Sequence, residues 1–344
     1  GAGAMQAFFD PRQSQHNPQH FMRMGVQAPN PEQPERAQRL LAGVQDAGWQ
    51  VRAPDDHGVG PIAAIHSADY LTFLRTIHAQ WQAMPGASDE VIPNVHPRGR
   101  GDSYPSGPIG LAGWHQSDTA CPITAQTWDS AYWSAQTALS AVEAARVTGL
   151  AYALCRPPGH HAFSDSASGF CFLNNAAIAA QSLRDSGHRV AVLDVDVHHG
   201  NGTQGIFYDR GDVLTLSVHG DPEAFYPFFW GHAHERGQGV GQGANLNLPL
   251  PMGSGDTPYL QAVDQALTRA ALFGADALVV ALGLDAHESD PFQALRVTTD
   301  GFHALGRRLG ALSVPVVLVQ EGGYLSDALR ANLSAVLTGV MTAR

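Results

Sequence analysis

At 344 residues and 44% hydrophobic content, the chain is long enough to bury a substantial core as one large domain or two. Its 20 basic against 31 acidic residues leave a net charge of -11, which argues against a nucleic-acid surface and mildly favours cationic partners. No run of about 18 apolar residues and no N-terminal basic-plus-apolar signal occurs, so neither membrane spanning nor export is indicated.

Gly1 to Ala4, ahead of Met5, reads as an expression scar, and residues 5–344 read as a single domain. Two helical stretches come first, PEQPERAQRLLAGVQDAGW and SADYLTFLRTIHAQWQAM. Residues 85 to 126 then lose all periodicity and fill with Pro, Gly and Ser, a long irregular insertion of the kind that is usually functional or disordered. The RGD within it reads as chance. From about residue 127 helices and strands alternate: TWDSAYWSAQTALSAVEAARVTG, LAYALC, NNAAIAAQSLRDSG, HRVAVLDV, VLTLSV, PYLQAVDQALTRAALFG, ADALVVAL, FHALGRRLGAL, VPVVLVQ and LSDALRANLSAVLTGV. The strand-like runs are short, apolar and unalternating, as expected of a parallel sheet covered by helices on both faces, hence an α/β fold. GQGVGQGAN, near residue 240, lacks the strand and helix of a dinucleotide motif and reads as a plain connection. Cys121, Cys155 and Cys171 cannot staple so long a chain; they read as core packing in a reducing cytoplasm.

In open α/β sheets ligands bind beyond the carboxyl ends of the strands, so motifs distant in sequence meet there. Four strand ends carry chemistry: LAYALC leads to His160 and His161, HRVAVLDV to DVHHGNG, ADALVVAL to GLDAHESDP with Asp285, and VPVVLVQ to EGGY with Tyr324. On an extended strand Asp194, Asp196 and His198 share one face and Val195, Val197 and His199 the other. Turns after strands also gather Asp and His, so one D-x-H says little; four such ends together say more. Asp196, His198 and Asp285 make a three-ligand set with a position left for water or substrate, the pattern of a catalytic zinc. Neighbouring His160 and His161 diverge too much to share that ion and read as proton-handling groups above it. Asp194 and Asn201 flank the ligands and are placed to fix the two imidazoles in turn. A carboxylate partner would raise one histidine and an amide would leave the other nearer neutral, suiting His161 to act as general base. Tyr324, after Gly322 and Gly323, suits a phenol donor to an oxyanion. His199 reads as structural, and His287 has no assigned role.

RPPGHHA, DVDVHHGNGT, LGLDAHESDP and EGGY together resemble the histone deacetylase superfamily, from about residue 30 to the end. The resemblance implies an arginase/deacetylase α/β fold and hydrolysis of acetylated amines with a single zinc held by Asp196, His198 and Asp285. It implies His161 and His160 as base and acid, and Tyr324 polarising the acetyl carbonyl. It also implies a potassium ion at Asp194, Asp196, His198, Ser217 and the Val218 carbonyl, and a substrate tunnel lined by Gly169, Phe170 and Tyr226. The 85–126 insertion is similar in place and length to that of bacterial acetylpolyamine amidohydrolases, homodimers whose insertion narrows the partner's site and holds a distal ammonium with acidic residues. Asp118 matches one such carboxylate; Ser106 falls at or near the other, with Asp102 a candidate substitute. The expected enzyme is a cytoplasmic, zinc-dependent amidohydrolase of acetylpolyamines or of acetylputrescine and acetylcadaverine. The alternatives are a deacetylase of acetyl-lysine in peptides or proteins, a two-manganese ureohydrolase, which needs a carboxylate where Gly200 stands, and a non-catalytic binding module.

Overall fold

The computed structural model describes residues 5–344, so the Gly1–Ala4 expectation lies outside the described residues. Its strands, in chain order, are β1 (Gln6–Phe8), β2 (His20–Arg23), β3 (Val26–Pro29), β4 (Gln50–Arg52), β5 (Leu150–Ala153), β6 (Val190–Asp194), β7 (Val213–Gly220), β8 (Asn245–Leu250), β9 (Ala277–Leu282) and β10 (Val316–Gln320). Eight of them form one sheet in the order β4-β1-β5-β10-β9-β6-β7-β8, and every neighbouring pair is parallel. β2 and β3 form a separate antiparallel hairpin turned at Met24 and Gly25, both at positive φ.

The sheet explains the unalternating runs. In β5, β6, β9 and β10 every residue is buried, because successive side chains enter two different cores. Ala151, Val192, Val279 and Val317 face one core with the helices Ala68–Gln82, Thr127–Thr148 and Asn175–Asp185. Tyr152, Leu193, Val280 and Leu318 face the other, closed by the helices Glu35–Asp46, Asp256–Phe273, Thr299–Gly310 and Leu329–Thr342. No helix among the described residues is long and apolar enough to cross a membrane.

Two expectations need correction. The 85–126 stretch is not wholly irregular: Pro108–His115 forms a helix, started by Pro108 at a position where its missing N–H costs nothing and hidden from sequence reading by Gly110 and Gly113. The strand read through LDVDVHH ends at Asp194, where the Asp194 and Asp196 carboxylates accept the N–H groups of Asp196 (3.0 Å) and His198 (2.8 Å) and fold the chain into successive turns. The two faces survive that change: Val195 and Val197 still enter the core, while Asp196 and His198 turn into the site.

Candidate active site

Beyond the carboxyl ends of β6 and β9, one ligating atom each from Asp196, His198 and Asp285 lie within 4.8 Å of one another. His198 Nδ1 is 3.3 Å from Asp196 Oδ1 and 3.3 Å from Asp285 Oδ2. Backbone donors aim the carboxylates: Gly322 N–H reaches Asp196 Oδ2 at 2.8 Å, and Val197 N–H reaches Asp285 Oδ1 at 2.9 Å. The strand ends converge only because the intervening residues are glycines. A Cβ on Gly283 would stand 2.0 Å from Asp196 Oδ2, and one on Gly322 would stand 2.3 Å from Asp285 Oδ2.

Both carboxylates are fully buried, the chain has no lysine, and no arginine among the described residues pairs with either. Burial first, then the like charge of Asp196, raises Asp285, while His198 is pushed up to about 9 against its own burial by the two carboxylates. With two carboxylates to one imidazole, the size and O/N composition of this donor set fit a single divalent ion.

His160 and His161 stand beside this cluster with ring centroids 4.1 Å apart. His160 Nδ1 lies 2.7 Å from Asp194 Oδ2, and His161 Nδ1 lies 2.7 Å from Asn201 Oδ1. Burial alone would lower both imidazoles. For His160 the charges of Asp194, Asp196 and Glu321 outweigh it and raise the group well above its ordinary value. For His161 burial is joined by repulsion from His160 and His198, and the group falls well below. The pair is therefore split into one proton-holding and one proton-accepting imidazole. A Cβ at Gly200 would stand 2.2 Å from Asp194 Oδ2, so that position has no room for the extra carboxylate a two-manganese site requires.

Tyr324 packs its ring edge-on against Phe170 (5.9 Å) and Phe292 (5.1 Å), with the Arg36 guanidinium 5.0 Å from its centroid. Its N–H donates to Asp290 Oδ2 at 3.0 Å, and among the described residues its hydroxyl bonds to no protein atom. Tyr324, His161, His198 and Asn201 floor a cavity of about 1050 Å³ walled by Phe170, Phe225, Tyr226 and Phe292.

Asp118 lines the same cavity, but much of its acceptor capacity is already used. Tyr226 donates to its Oδ2 at 2.6 Å, Gly169 N–H at 3.1 Å, and Ala120 N–H to its Oδ1 at 2.9 Å. As seen in one chain, it ties the insertion to the two tunnel walls at Gly169 and Tyr226 rather than standing free for an ammonium. Asp102 and Ser106 are exposed and do not line the cavity. Asp194 and Ser217 pair in register across β6 and β7 and border a small cavity lined mostly by polar residues; Ser217 Oγ is hydrogen-bonded to His219 Nδ1 at 2.8 Å, and Val218 is buried in the core. His287 accepts from Ser289 N–H (3.0 Å) and stacks on Phe302 away from the cavity, a structural place. His199 is likewise held in the interior, by Asn247 and His219.

Phe225, Phe292, Arg36, Asp290 and Glu321 were not singled out from the sequence. Phe225 stacks on His198 at 4.7 Å and Phe292 meets it edge-on at 4.9 Å, yet nothing local separates them from core aromatics. The DP of ESDPF and the E of EGGY were the available signals for Asp290 and Glu321.

Residues 30–340 match the family described as Histone deacetylase domain. The chain is 50% identical over 337 residues to an acetylpolyamine amidohydrolase of Burkholderia pseudomallei, covering 97% of this chain and 98% of that one. It is 46% identical over 314 residues to acetylpolyamine amidohydrolase 1 of Pseudomonas aeruginosa, covering 90% of each. A crystal structure of acetylpolyamine aminohydrolase from Burkholderia pseudomallei superposes with a TM-score of 0.96 at 49% identity, covering 99% of this chain and 100% of that one.

Proposed function

The chain belongs to the histone deacetylase family, with its arginase/deacetylase fold, and is a deacetylase; we propose that it acts on small acetylated amines, acetylpolyamines and acetylated diamines such as acetylputrescine or acetylcadaverine, as a zinc-dependent amidohydrolase. The observation that carries this reading is the buried Asp196–His198–Asp285 cluster opening, beside a split histidine pair, into a cavity at the strand ends.

Asp196, His198 and Asp285 would hold the zinc, which when bound supplies Lewis acidity toward the acetyl carbonyl and the attacking water. His161, its Nδ1 turned to Asn201, takes the proton from the water as general base. Tyr324, whose hydroxyl is unspent on the protein, donates to the carbonyl oxygen as negative charge develops there. His160, kept protonated by Asp194, delivers a proton to the departing amine nitrogen. Gly169, Phe170 and Tyr226 border the methylene chain, and Asp118 offers its remaining acceptor capacity to the amine side of the substrate.

A potassium ion at Asp194, Asp196, His198, Ser217 and the Val218 carbonyl belongs to the same reading, supported by the in-register pairing of Asp194 and Ser217. So does a homodimer through residues 85–126. Tyr104 and Ile109 in that stretch are 46% and 48% exposed, and Met24 and Phe229 on the cavity rim 86% and 85%, apolar surface that a second copy would cover. Cys121, Cys155 and Cys171 are free and buried, which supports a reducing cytoplasm.

The 1050 Å³ cavity of a single chain exceeds what acetylputrescine needs and favours, as a second reading, deacetylation of acetyl-lysine in peptides or proteins. The deciding experiment measures kcat/KM of the zinc-loaded protein for acetylputrescine, acetylcadaverine and an acetyl-lysine peptide in one buffer. A preference of about tenfold or more for the diamines, roughly 1.4 kcal/mol, is expected; equal or better turnover of the peptide would establish the second reading instead.

A further inference from the structure

Among the buried acids that take no part in the proton transfers or the oxyanion donation, Glu321 bridges two segments of the site. Glu321 is 0% exposed; its Oε1 accepts from the N–H groups of Gly159 (2.9 Å) and His160 (3.0 Å), and its Oε2 is buried with no partner. Holding those two N–H groups is therefore the only hydrogen-bonding work of this carboxyl among the described residues. They need it, because the chain leaves β5 before Gly159 and these two donors have no backbone acceptor.

The rest of the Glu321–Tyr324 turn is fixed to other parts of the site. Gly322 N–H donates to Asp196 Oδ2 (2.8 Å), Tyr324 N–H to Asp290 (3.0 Å), and the Arg36 guanidinium to the carbonyls of Glu321 (2.8 Å) and Gly323 (2.5 Å). Arg36 is itself held by Glu32, which also pairs with Arg156. One short turn thus touches a cluster carboxylate through Gly322, carries the phenol at Tyr324, and reaches the histidine loop through a single side chain.

We propose that Glu321 is a positioning residue for deacetylation, registering the His160–His161 loop against the turn that bears Tyr324 and steadies Asp196. The assignment rests on the amidohydrolase reading above. What matters in it is an oxygen acceptor at the Oε1 position. Without that acceptor two buried donors are unpaired and the histidine loop is free to shift, and a displacement of about 1 Å in such a constellation costs on the order of 100-fold in rate.

The test uses the full-length, zinc-loaded protein with acetylputrescine as probe, comparing wild type with E321Q, E321A and E321M, the last filling the same space without an acceptor should E321A not fold. Each is assayed for kcat, KM, bound metal and amide hydrogen exchange of Gly159 and His160. Expected is a kcat loss of about 100-fold in E321A and E321M with KM within about threefold and metal retained, and a rate within about threefold of wild type for E321Q, whose amide oxygen accepts the same bonds. Exchange at the two amides accelerates in E321M and stays slow in E321Q. Wild-type turnover by E321M, or an E321Q as impaired as E321M, would overturn the assignment. A wild type that hydrolyses no acetylated amine would overturn the functional reading instead, and the exchange measurement would still decide whether Glu321 holds the loop.

Discussion

Replacing Tyr324 with Phe isolates one hydroxyl. The ring is 4% exposed and keeps all its neighbours in the variant: Phe170, Phe292 and the Arg36 guanidinium touch carbon atoms that Phe also has, and Asp290 holds a backbone N–H. The lost hydroxyl bonds to no protein atom among the described residues, so no partner is left unpaired and stability should change by less than about 1 kcal/mol. What disappears is a donor to the oxygen that becomes negative in the transition state. One oxyanion donor in a site shielded from water is worth about 2.7–4 kcal/mol, so kcat should fall roughly 100- to 1000-fold. KM should hardly move, because the bond strengthens only as charge develops. The assay is steady-state release of the free amine from acetylputrescine, with bound zinc and thermal midpoint measured on the same samples. A metal-replete, normally stable variant with a near-wild-type kcat would remove Tyr324 from the mechanism, and a matching rise in KM would show a ground-state contact instead.

Gly283→Ala places a Cβ 2.0 Å from Asp196 Oδ2, whose position is fixed by Gly322 N–H, so bound metal per chain should fall well below that of wild type by elemental analysis while far-UV circular dichroism is retained. His66 is buried as a neutral ring: its Nε2 accepts from Asn174 N–H (2.9 Å), a bond that a second ring proton would abolish, and burial lowers the group to about 4. The folded value lies below the unfolded one near 6.5, so this contribution is complete above that pH and is lost as pH falls toward 4, with about 2 kcal/mol gone by pH 5. Urea unfolding at pH 7 and 5 should show that loss, and His66→Gln should flatten it. Ile109→Arg places a charge on the exposed apolar part of the insertion; the proposed homodimer predicts that sedimentation gives a dimer for wild type and a monomer for the variant.

The α/β architecture was legible because β5, β6, β9 and β10 bury both faces and so read as unbroken apolar runs, while the long helices between them carry their own period. The short strands β1 and β4 and the polar edge strand β8 were not legible: three residues carry no period, and NLNLPL is a strand only because β7 lies beside it. The helix at Pro108–His115 escaped for the related reason that its glycines are poor helix formers.

In the site, the identity of the groups belonged to the sequence. Asp196, His198, Asp285, His160, His161 and Tyr324 all stand where apolar strands end, and ligand chemistry at a strand's carboxyl end is a local pattern. Pairings within a few residues of a strand end, such as Asp194 with His160 and Asn201 with His161, followed from the same pattern. What each remaining polar group spends its valences on belonged to the tertiary structure. Asp118 reads as a free carboxylate until Tyr226 and Gly169, 108 and 51 residues away, are seen donating to it. Glu321 reads as one more acid until Gly159 and His160 use up one of its oxygens. Sequence patterning thus specifies which atoms reach the strand ends, because the periodicity of a strand is local; which of them remain unspent there depends on hydrogen bonds between distant segments, and those exist only once the chain is packed.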